Sequence, residues 1–400
     1  MRPILFHLPL PDFAMPLAWL PLFFALLFAV VGVRKLFGKK INHQEAGMAG
    51  ICFLLCLLIR FTVMGENTAT INLGNYPIYS YGAMLLSSFS VGWFLTLGLA
   101  ERDGLSRSKM GNNYIVTAVV AIIGARLLYV VTNLEQFNTV SAMLSPRSGL
   151  VAYGGFVGGL AGSWIFLRAH RLPLLPWGDV VAPSLAAGLM ITRIGCYLFG
   201  CDFGMPLSVN APAFLQKLGS FPHWPDELGL GRGAPAWLQH VQQRGLANTA
   251  AHSLPVHPTQ LYESLVGASL LVLLLVARKY QKFSGQVFLL FIFCYGMARY
   301  LLEIFRDDPD RGSLPFSLPE QLLHPLILIL LALAFVMGIS RTIGHKPLRL
   351  AAQVVSFAPA LLACAGLGPN PVQLSTSQLI ALLSAITAAS IFRVKIDQTI

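Results

Sequence analysis

The sequence predicts an all-α polytopic membrane protein with about eleven transmembrane helices and an extracytoplasmic cap loop. Three observations predict it. Hydrophobic residues make up 55% of the 400 residues and charged residues only 11%, whereas a soluble globular chain carries roughly a quarter charged residues. The apolar residues gather into segments of about 20 residues, the length that crosses a bilayer as a helix. The basic residues gather into alternate loops between those segments, as cytoplasmic loops do. The same composition excludes a disordered chain, which is polar and charged. A net charge of +11 would suit nucleic-acid binding on a soluble protein. Here the loops account for it, and no nucleic-acid partner is expected.

In chain order the expected spans are 17–37, 46–64, 77–100, 113–132, 149–168, 179–200, 259–277, 284–304, 321–340, 350–367 and 376–393. The first contains Pro21, and the tenth is short and contains Pro359. The first run ends in Arg34, Lys35, Lys39 and Lys40 rather than at a small-residue cleavage site, so it reads as a retained span. Loops at 34–40, 102–109, 168–171, 278–282, 341–349 and 393–395 hold most of the Lys and Arg. The positive-inside rule makes that side cytoplasmic. The N-terminus then lies outside and the C-terminus inside, as eleven crossings require.

One connection, 201–258, is long and rich in Pro, Gly, Trp and His. Loops beyond about 12–15 residues are usually functional or disordered. Phe214, Leu215, Trp224, Trp237 and Leu238 predict an ordered cap on the outer face, its tryptophans either an interfacial belt or substrate-facing. Six cysteines are too few and too scattered for a disulfide scaffold. Cys52 and Cys56 fall in one apolar run and read as core or lipid-facing residues.

Once the loops are assigned, Arg60, Arg126, Arg193 and Arg299 remain inside spans. An Arg at a helix centre costs roughly 2.5–3.5 kcal/mol on insertion scales, so such residues usually face a polar cavity and mark function. Arg60 sits near the outer end of its span, where it can snorkel. Tyr295, Arg299, Glu303 and Arg306 fall on one helix face by their spacing. Glu303 can pair with either arginine but not fully with both, which leaves one guanidinium for an anion. The bland alternative is a buried structural ion pair.

Residues 179–204 read DVVAPSLAAGLMITRIGCYLFGCDFG. Arg193 lies towards the outer leaflet, and Gly195, Gly200 and Gly204 permit close backbone approach and a broken helix end. Irregular backbone at membrane depth is tolerated only where it lines an enclosed or wet site. Residues 150–162 read LVAYGGFVGGLAG, a run that also suits plain helix packing. Tyr153 there is a hydrogen-bond donor or an interfacial anchor. His257-Pro258-Thr259-Gln260-Leu261-Tyr262-Glu263 opens the seventh span. Pro258 suits a first helical turn, the helix start offers N–H groups to an anion, and His257 is a candidate general base or a simple cap. Gln260 and Glu263 are polar residues inside an apolar helix. Together these features describe an outer-leaflet site with several arginines, a His and carboxylates. Paired arginines bind phosphate bidentately, and an anionic phospholipid head group is the natural ligand at that depth.

The run from about Tyr76 to Arg349 resembles the bacterial prolipoprotein diacylglyceryl transferase family. The strongest matches are HPTQLYE at His257–Glu263, YGMARYLLEIFRDDPD at Tyr295–Asp310 and TRIGCYLFGCDFG at Thr192–Gly204. Tyr79-Ser80-Tyr81-Gly82, Gly124-Ala125-Arg126 with Tyr129, and YGGFVGG at Tyr153–Gly159 support them, and the order matches too.

The resemblance implies a multi-pass enzyme of the bacterial cytoplasmic (inner) membrane. Its reaction moves the diacylglyceryl group of phosphatidylglycerol to the lipobox cysteine thiol in a preprolipoprotein signal peptide. Glycerol phosphate leaves and a thioether forms. The partners are then phosphatidylglycerol, the preprolipoprotein and membrane lipids, and the family uses no metal, so no cofactor is expected. The resemblance assigns catalysis to Arg193 and Arg299, with His257 and Tyr153 as base candidates. It assigns substrate binding to Tyr81, Arg126, Gly154, Gly155, Gly204, Gln260, Tyr262, Glu263, Glu303 and Arg306. It divides the chain into an extra N-terminal segment of two helices (1–70), a seven-helix core (71–349, with the cap at 201–258) and an extra C-terminal segment of two helices (350–400).

The sequence also departs from the family. Tyr153 stands where the family commonly has a His ahead of the glycines, and a tyrosine with pKa near 10 is a poor base unless shifted. Cys196 and Cys201 stand where the family often has Asn and Glu, either as core thiols or as a disulfide. These departures keep two alternatives in view. One is a catalytically silent homologue that binds or transports anionic phospholipid; the other is a related transferase with another lipid or thiol acceptor.

Overall fold

The computed structural model describes residues 3–9, 14–16, 19–37, 49–50, 52–54, 56–57, 70–72, 76–137, 139, 142–143, 149–224, 233–307, 312–366 and 370–399. Most of the second expected span, with Arg60, lies outside these residues, as do 225–232 of the cap and Asp308 and Asp310 of the second motif. The helices are α1 (Trp19–Phe37), α2 (Ser80–Arg102), α3 (Arg107–Thr132), α4 (Ala152–Ala169), α5 (Leu174–Phe199), α6 (Ala213–Leu218) and α7 (Pro235–Gln243). They continue with α8 (Thr259–Lys279), α9 (Gln286–Glu303), α10 (Glu320–Met337), α11 (Lys346–Val355), α12 (Ala358–Gly366) and α13 (Thr376–Asp397). Among the described residues six short strands accompany them: β1 (Ile4–Leu8), β2 (Ala14–Pro16), β3 (Thr70–Asn72), β4 (Tyr76–Tyr79), β5 (Ser313–Pro319) and β6 (Pro371–Ser375). They pair two by two, β1 with β4, β2 with β3 and β5 with β6, and form no larger sheet among the described residues.

The protein is an all-α multi-pass membrane protein. Among the described residues, eight helical stretches are long and apolar enough to cross a bilayer. The apolar stretch of α1 runs Pro21–Arg34, and α4 is 18 residues long, with glycines diluting its apolar character. The tenth expected span is two helices, α11 and α12, broken at Ser356 and Phe357. Pro359 lies in the first turn of α12, where its missing N–H costs nothing, so the proline starts a helix rather than kinking one.

The chain packs as two compact units. One comprises chiefly residues 79–111 and 173–400, the other chiefly 4–78 and 112–172. In the second unit α3 and α4 approach closely along the glycine run. A Cβ on Gly154 would stand 2.2 Å from the carbonyl oxygen of Gly124, and one on Gly158 2.6 Å from that of Val120. Ser163 ties the same helices through Asn113 Nδ2 and Thr117 Oγ1, each at 3.0 Å.

In the first unit α5 packs against α2, α8 and α9, and α9 packs against α13. Asp179, near the start of α5, accepts the N–H groups of Gly285 and Phe288 at 2.5 and 3.0 Å. It thereby fills the open N-terminus of α9, where a negative charge is stabilising. Arg193 is 14 residues further along α5, about 21 Å at 1.5 Å per residue, so the same helix caps α9 at one end and carries an arginine towards the other. A core of Leu289, Phe293 and Tyr300 from α9 meets Leu323, Ile327 and Leu331 from α10 and Ala385, Ala389 and Phe392 from α13. Within it His324 Nδ1 and the Tyr300 hydroxyl lie 2.6 Å apart. Ser375 and Gln378 form a reciprocal capping box that starts α13.

The cap is ordered where it is described. Phe221, Trp224, Trp237 and Val256 form a core of its own, and Trp237 Nε1 donates to the Ala250 carbonyl at 2.8 Å. Trp224 and Trp237 are therefore buried within the cap and belong to neither an interfacial belt nor a substrate-facing surface.

Candidate functional site

The first unit brings three chain segments together at one place. Helix α5 ends at Gly200, whose φ of 87° is left-handed and which needs no side chain there. The chain then turns through Cys201 and Asp202, and Asp202 is itself left-handed at φ 56°. Asp tolerates that region better than most residues, but it is strained backbone all the same. The start of α8 docks on this turn: Thr259 Oγ1 donates to the Asp202 carbonyl at 2.7 Å and Gln260 Nε2 to the Cys201 carbonyl at 2.6 Å. The third segment follows α9. Gly204 forms a bridge with Arg306, its N–H donates to the His257 carbonyl at 3.0 Å, and the N–H of Met205 donates to the Phe305 carbonyl at 2.7 Å. A Cβ on Gly204 would stand 2.5 Å from the Phe305 oxygen and 2.8 Å from His257, so only glycine fits where the three meet.

The side chains gathered here form a closed ring of alternating charge. Arg193 Nη1 bonds Asp202 Oδ2 at 2.6 Å, and Arg306 Nη2 bonds Asp202 Oδ1 at 2.9 Å. Arg306 Nε lies 3.9 Å from Glu303 Oε2, which Arg299 Nη2 bonds at 2.9 Å. Arg299 Nη1 lies 3.5 Å from Glu263 Oε1, and Arg193 Nε closes the ring on Glu263 Oε2 at 2.9 Å. The three carboxylates balance the three guanidiniums, which is how charges survive at membrane depth.

The ring is not uniform. The side chains of Glu263 and Glu303 are 4% and 1% exposed, whereas Asp202 is 31% exposed. Burial works to raise the Asp202 carboxyl, but Arg193 and Arg306 outweigh it and hold the group below the usual carboxylate value. The expectation that one of Arg299 and Arg306 is left over by Glu303 is therefore corrected. Glu303 favours Arg299, and Arg306 turns to Asp202. Asp202 is the member the sequence reading missed; its signal was a carboxylate two residues beyond Gly200 in an otherwise apolar motif.

His257 sits beside the ring's backbone frame. Its Nδ1 lies 3.3 Å from the Tyr262 hydroxyl, and its ring tilts against Phe305 with centroids 5.2 Å apart. Burial pushes its pKa below the usual histidine value, so the imidazole is neutral at pH 7. The start of α8 is engaged as well: the N–H of Thr259 turns back to the His257 carbonyl at 2.8 Å. Tyr81, at the start of α2, lies beside the end of α5, where a Cβ on Gly195 would stand 3.4 Å from its Cα.

Arg126, Tyr153, Gly154 and Gly155 belong to the second unit. Arg126 donates to the carbonyls of Met143, Gly149 and Ala142 at 2.8, 2.9 and 3.0 Å. Its guanidinium lies 5.3 Å from the ring centroids of Tyr129 and Phe137. It holds the connection between α3 and α4. Tyr153, half-buried, is the second residue of α4. Gly154 is spent on the approach to α3, and Gly155 lies beside it.

The cap is tied to the same place. Arg244 pairs with Asp307, directly after Arg306, and Gln239 Nε2 donates to the Asp307 carbonyl at 3.2 Å.

A family model described as prolipoprotein diacylglyceryl transferase matches residues 68–338. The chain is 29% identical over 255 residues to a phosphatidylglycerol–prolipoprotein diacylglyceryl transferase of Clostridium tetani, covering 63% of this chain and 90% of that protein. It is 27% identical over 254 residues to phosphatidylglycerol–prolipoprotein diacylglyceryl transferase 2 of Clostridium perfringens, covering 63% and 88%. A third relative, a phosphatidylglycerol–prolipoprotein diacylglyceryl transferase of Rhodopirellula baltica, is 32% identical over 244 residues, covering 54% of this chain and 48% of that one.

Proposed function

The chain belongs to the prolipoprotein diacylglyceryl transferase family, and on that premise we propose that it transfers the diacylglyceryl group of phosphatidylglycerol to the lipobox cysteine of a preprolipoprotein. The observation that carries this reading is the ring of Arg193, Arg299 and Arg306 with Glu263, Glu303 and Asp202. Few arrangements other than binding an anionic head group explain three arginines gathered at the end of a membrane helix. The distribution of Lys and Arg among the loops supports a reading in which this end of the bundle faces the outer side of the bacterial inner membrane, with the N-terminus outside and the C-terminus in the cytoplasm.

The phosphate takes the position of Asp202. That carboxylate is the most exposed of the three, bridges two guanidiniums with its two oxygens as a phosphate does, and is held on strained backbone. Glu263 and Glu303, fully buried, stay and orient the arginines. The acceptor thiol gives its proton to a base, and its sulfur attacks the glyceryl carbon that bears the phosphate oxygen. The C–O bond breaks, a C–S bond forms, and glycerol phosphate departs with a second negative charge. Arg193, Arg299 and Arg306 meet that charge as it develops. His257, neutral at pH 7, is the base of choice. Gln260 and Gly204 hold the frame, and Tyr81 and Tyr262 line it. Tyr153, Arg126, Gly154 and Gly155 enter this reading through the family resemblance.

The test is direct. Membranes carrying the protein are mixed with phosphatidylglycerol vesicles and a lipobox peptide, and the peptide is weighed by mass spectrometry. Wild type adds one diacylglyceryl group per cysteine; Arg193→Ala and Arg299→Ala add none. Full transfer by both variants would overturn the site. Tyr153 in place of the family His favours the second reading, a silent lipid-binding homologue, and a folded wild type that binds phosphatidylglycerol without transfer would decide for it.

A further inference from the structure

Cys196 and Cys201 play no part in the reaction above. Cys196 is buried, 3% exposed, in the last turn of α5, and Cys201 is half-buried just beyond it. The Cys196 carbonyl accepts the N–H groups of both Gly200 and Cys201, at 2.7 and 3.2 Å. That turn folds the chain back over the helix end. The two sulfurs and an oxygen of Asp202 consequently lie within 4.8 Å of one another. Such a cluster can be a metal site or a thiol pair, and the ring decides between them. Both Asp202 oxygens are taken by arginines, which leaves two sulfurs, and structural zinc needs four ligands.

We propose that Cys196 and Cys201 are a reversible disulfide site, oxidised by exchange with a disulfide outside the membrane. Cys201, the more exposed thiol, attacks one sulfur of the external disulfide as its thiolate, breaking that S–S bond and releasing one thiolate. Cys196 then attacks the Cys201 sulfur, and the second thiolate leaves. Two protein thiols lose two protons and two electrons, and the external disulfide becomes two thiols. Arg193 Nη1, 3.8 Å from the Cys196 sulfur, is a cation in place for that second attack. The hydrogen bond with Cys196 and burial push the Cys201 thiol up, so exchange is slow at neutral pH and quickens as pH rises. The outer face of the membrane is where disulfides persist. The bond joins the end of α5 to the turn that carries Asp202, so it fixes that turn against the helix that carries Arg193.

Trypsin cuts after Arg193 and Lys217 and releases peptide 194–217, which contains both cysteines and no other. The full-length protein is incubated with oxidised glutathione at pH 8, then denatured, alkylated and digested. The peptide is expected two hydrogens lighter than the dithiol and free of alkyl groups, and reduction before alkylation restores two. Cys196→Ser is expected to stop at one glutathione on Cys201, and Cys201→Ser to leave Cys196 alkylated. A wild-type peptide alkylated on both cysteines, or carrying glutathione on each, overturns the proposal. Amide exchange across 200–204 is expected to slow in the oxidised protein. Equal exchange in both states overturns the fixing of the turn but not the bond. None of these readouts depends on transferase activity.

Discussion

Arg193 and Glu263 meet at 2.9 Å from different helices, 70 residues apart in sequence. Arg193 lies on α5 and Glu263 on the second turn of α8, both largely removed from solvent. This contact closes the charge ring, because Glu263 also reaches Arg299 on α9 at 3.5 Å. One carboxylate thus sets the spacing of the two arginines that would grip a phosphate. Breaking a buried pair costs about 3–5 kcal/mol because a lone charge is left behind.

Glu263→Gln is therefore expected to lower both stability and transfer. Thermal unfolding in detergent should fall by several degrees, and lipobox-peptide transfer by at least tenfold. Glu263→Asp, which keeps the charge but shortens the reach, should recover part of the stability.

Asp202→Asn should behave in the opposite sense to Glu263→Gln with respect to lipid. Asn accepts the left-handed backbone but no longer competes as an anion. The KM for phosphatidylglycerol is expected to fall several-fold, read from initial rates in vesicles of graded composition. A raised KM would assign Asp202 to lipid binding rather than to the place the phosphate takes.

The same residue predicts a pH dependence of stability. Burial opposes ionisation of Asp202, but Arg193 and Arg306 prevail and the folded pKa is lowered. A group with a depressed folded pKa stabilises above its unfolded value, about 3.9, and that contribution is lost as pH falls through the folded value. Wild type should lose stability below about pH 4 more steeply than Asp202→Asn, measured by unfolding from pH 5 to pH 3.

His257 predicts the acid limb of activity. Burial lowers its pKa from the model-peptide value of 6.5, and a base works deprotonated. kcat/KM should rise with pH through a midpoint below 6.5 and level off. His257→Gln should lose the limb together with about 10²–10⁴-fold of rate, the usual contribution of general acid–base catalysis. A limb unchanged in that variant would move the base elsewhere.

Gly204→Ala tests the frame rather than the charges. Its Cβ would stand 2.5 Å from the Phe305 oxygen and 2.8 Å from the His257 oxygen, and backbone at both places cannot give way cheaply. The variant is expected to lose most transfer while the distant Asp179 cap keeps α9 folded, read as loss of rate with helicity intact by circular dichroism.

Much of this was legible in the chain. Eight of the eleven expected spans were, because a 20-residue apolar run has few other uses. Arg193, Arg299, Glu263 and Glu303 were, because charge inside a span is costly and stands out, and Arg306, just past α9, was legible from its spacing to Arg299 and Glu303. Asp202 was not, because it lies just past a helix end, where a carboxylate is ordinary until the αL turn aims it at two arginines. The tryptophans of the cap were read as surface residues because nothing local reveals that Trp224 and Trp237 pack on Phe221 and Val256. The glycines around Gly154 carried two readings, and only the facing carbonyls of Gly124 and Val120 identify a tight helix contact. Pro359 reads as a weakness within one span, although it lies in the first turn of the second of two helices.

Genetic complementation tests the central claim most directly. In a bacterial strain depleted of its own prolipoprotein diacylglyceryl transferase, the wild-type chain is expected to restore growth and lipoprotein maturation. Arg193→Ala and Arg299→Ala, inserted at equal level, are expected to restore neither. Failure of a well-inserted wild type, or rescue by both arginine variants, would contradict the account.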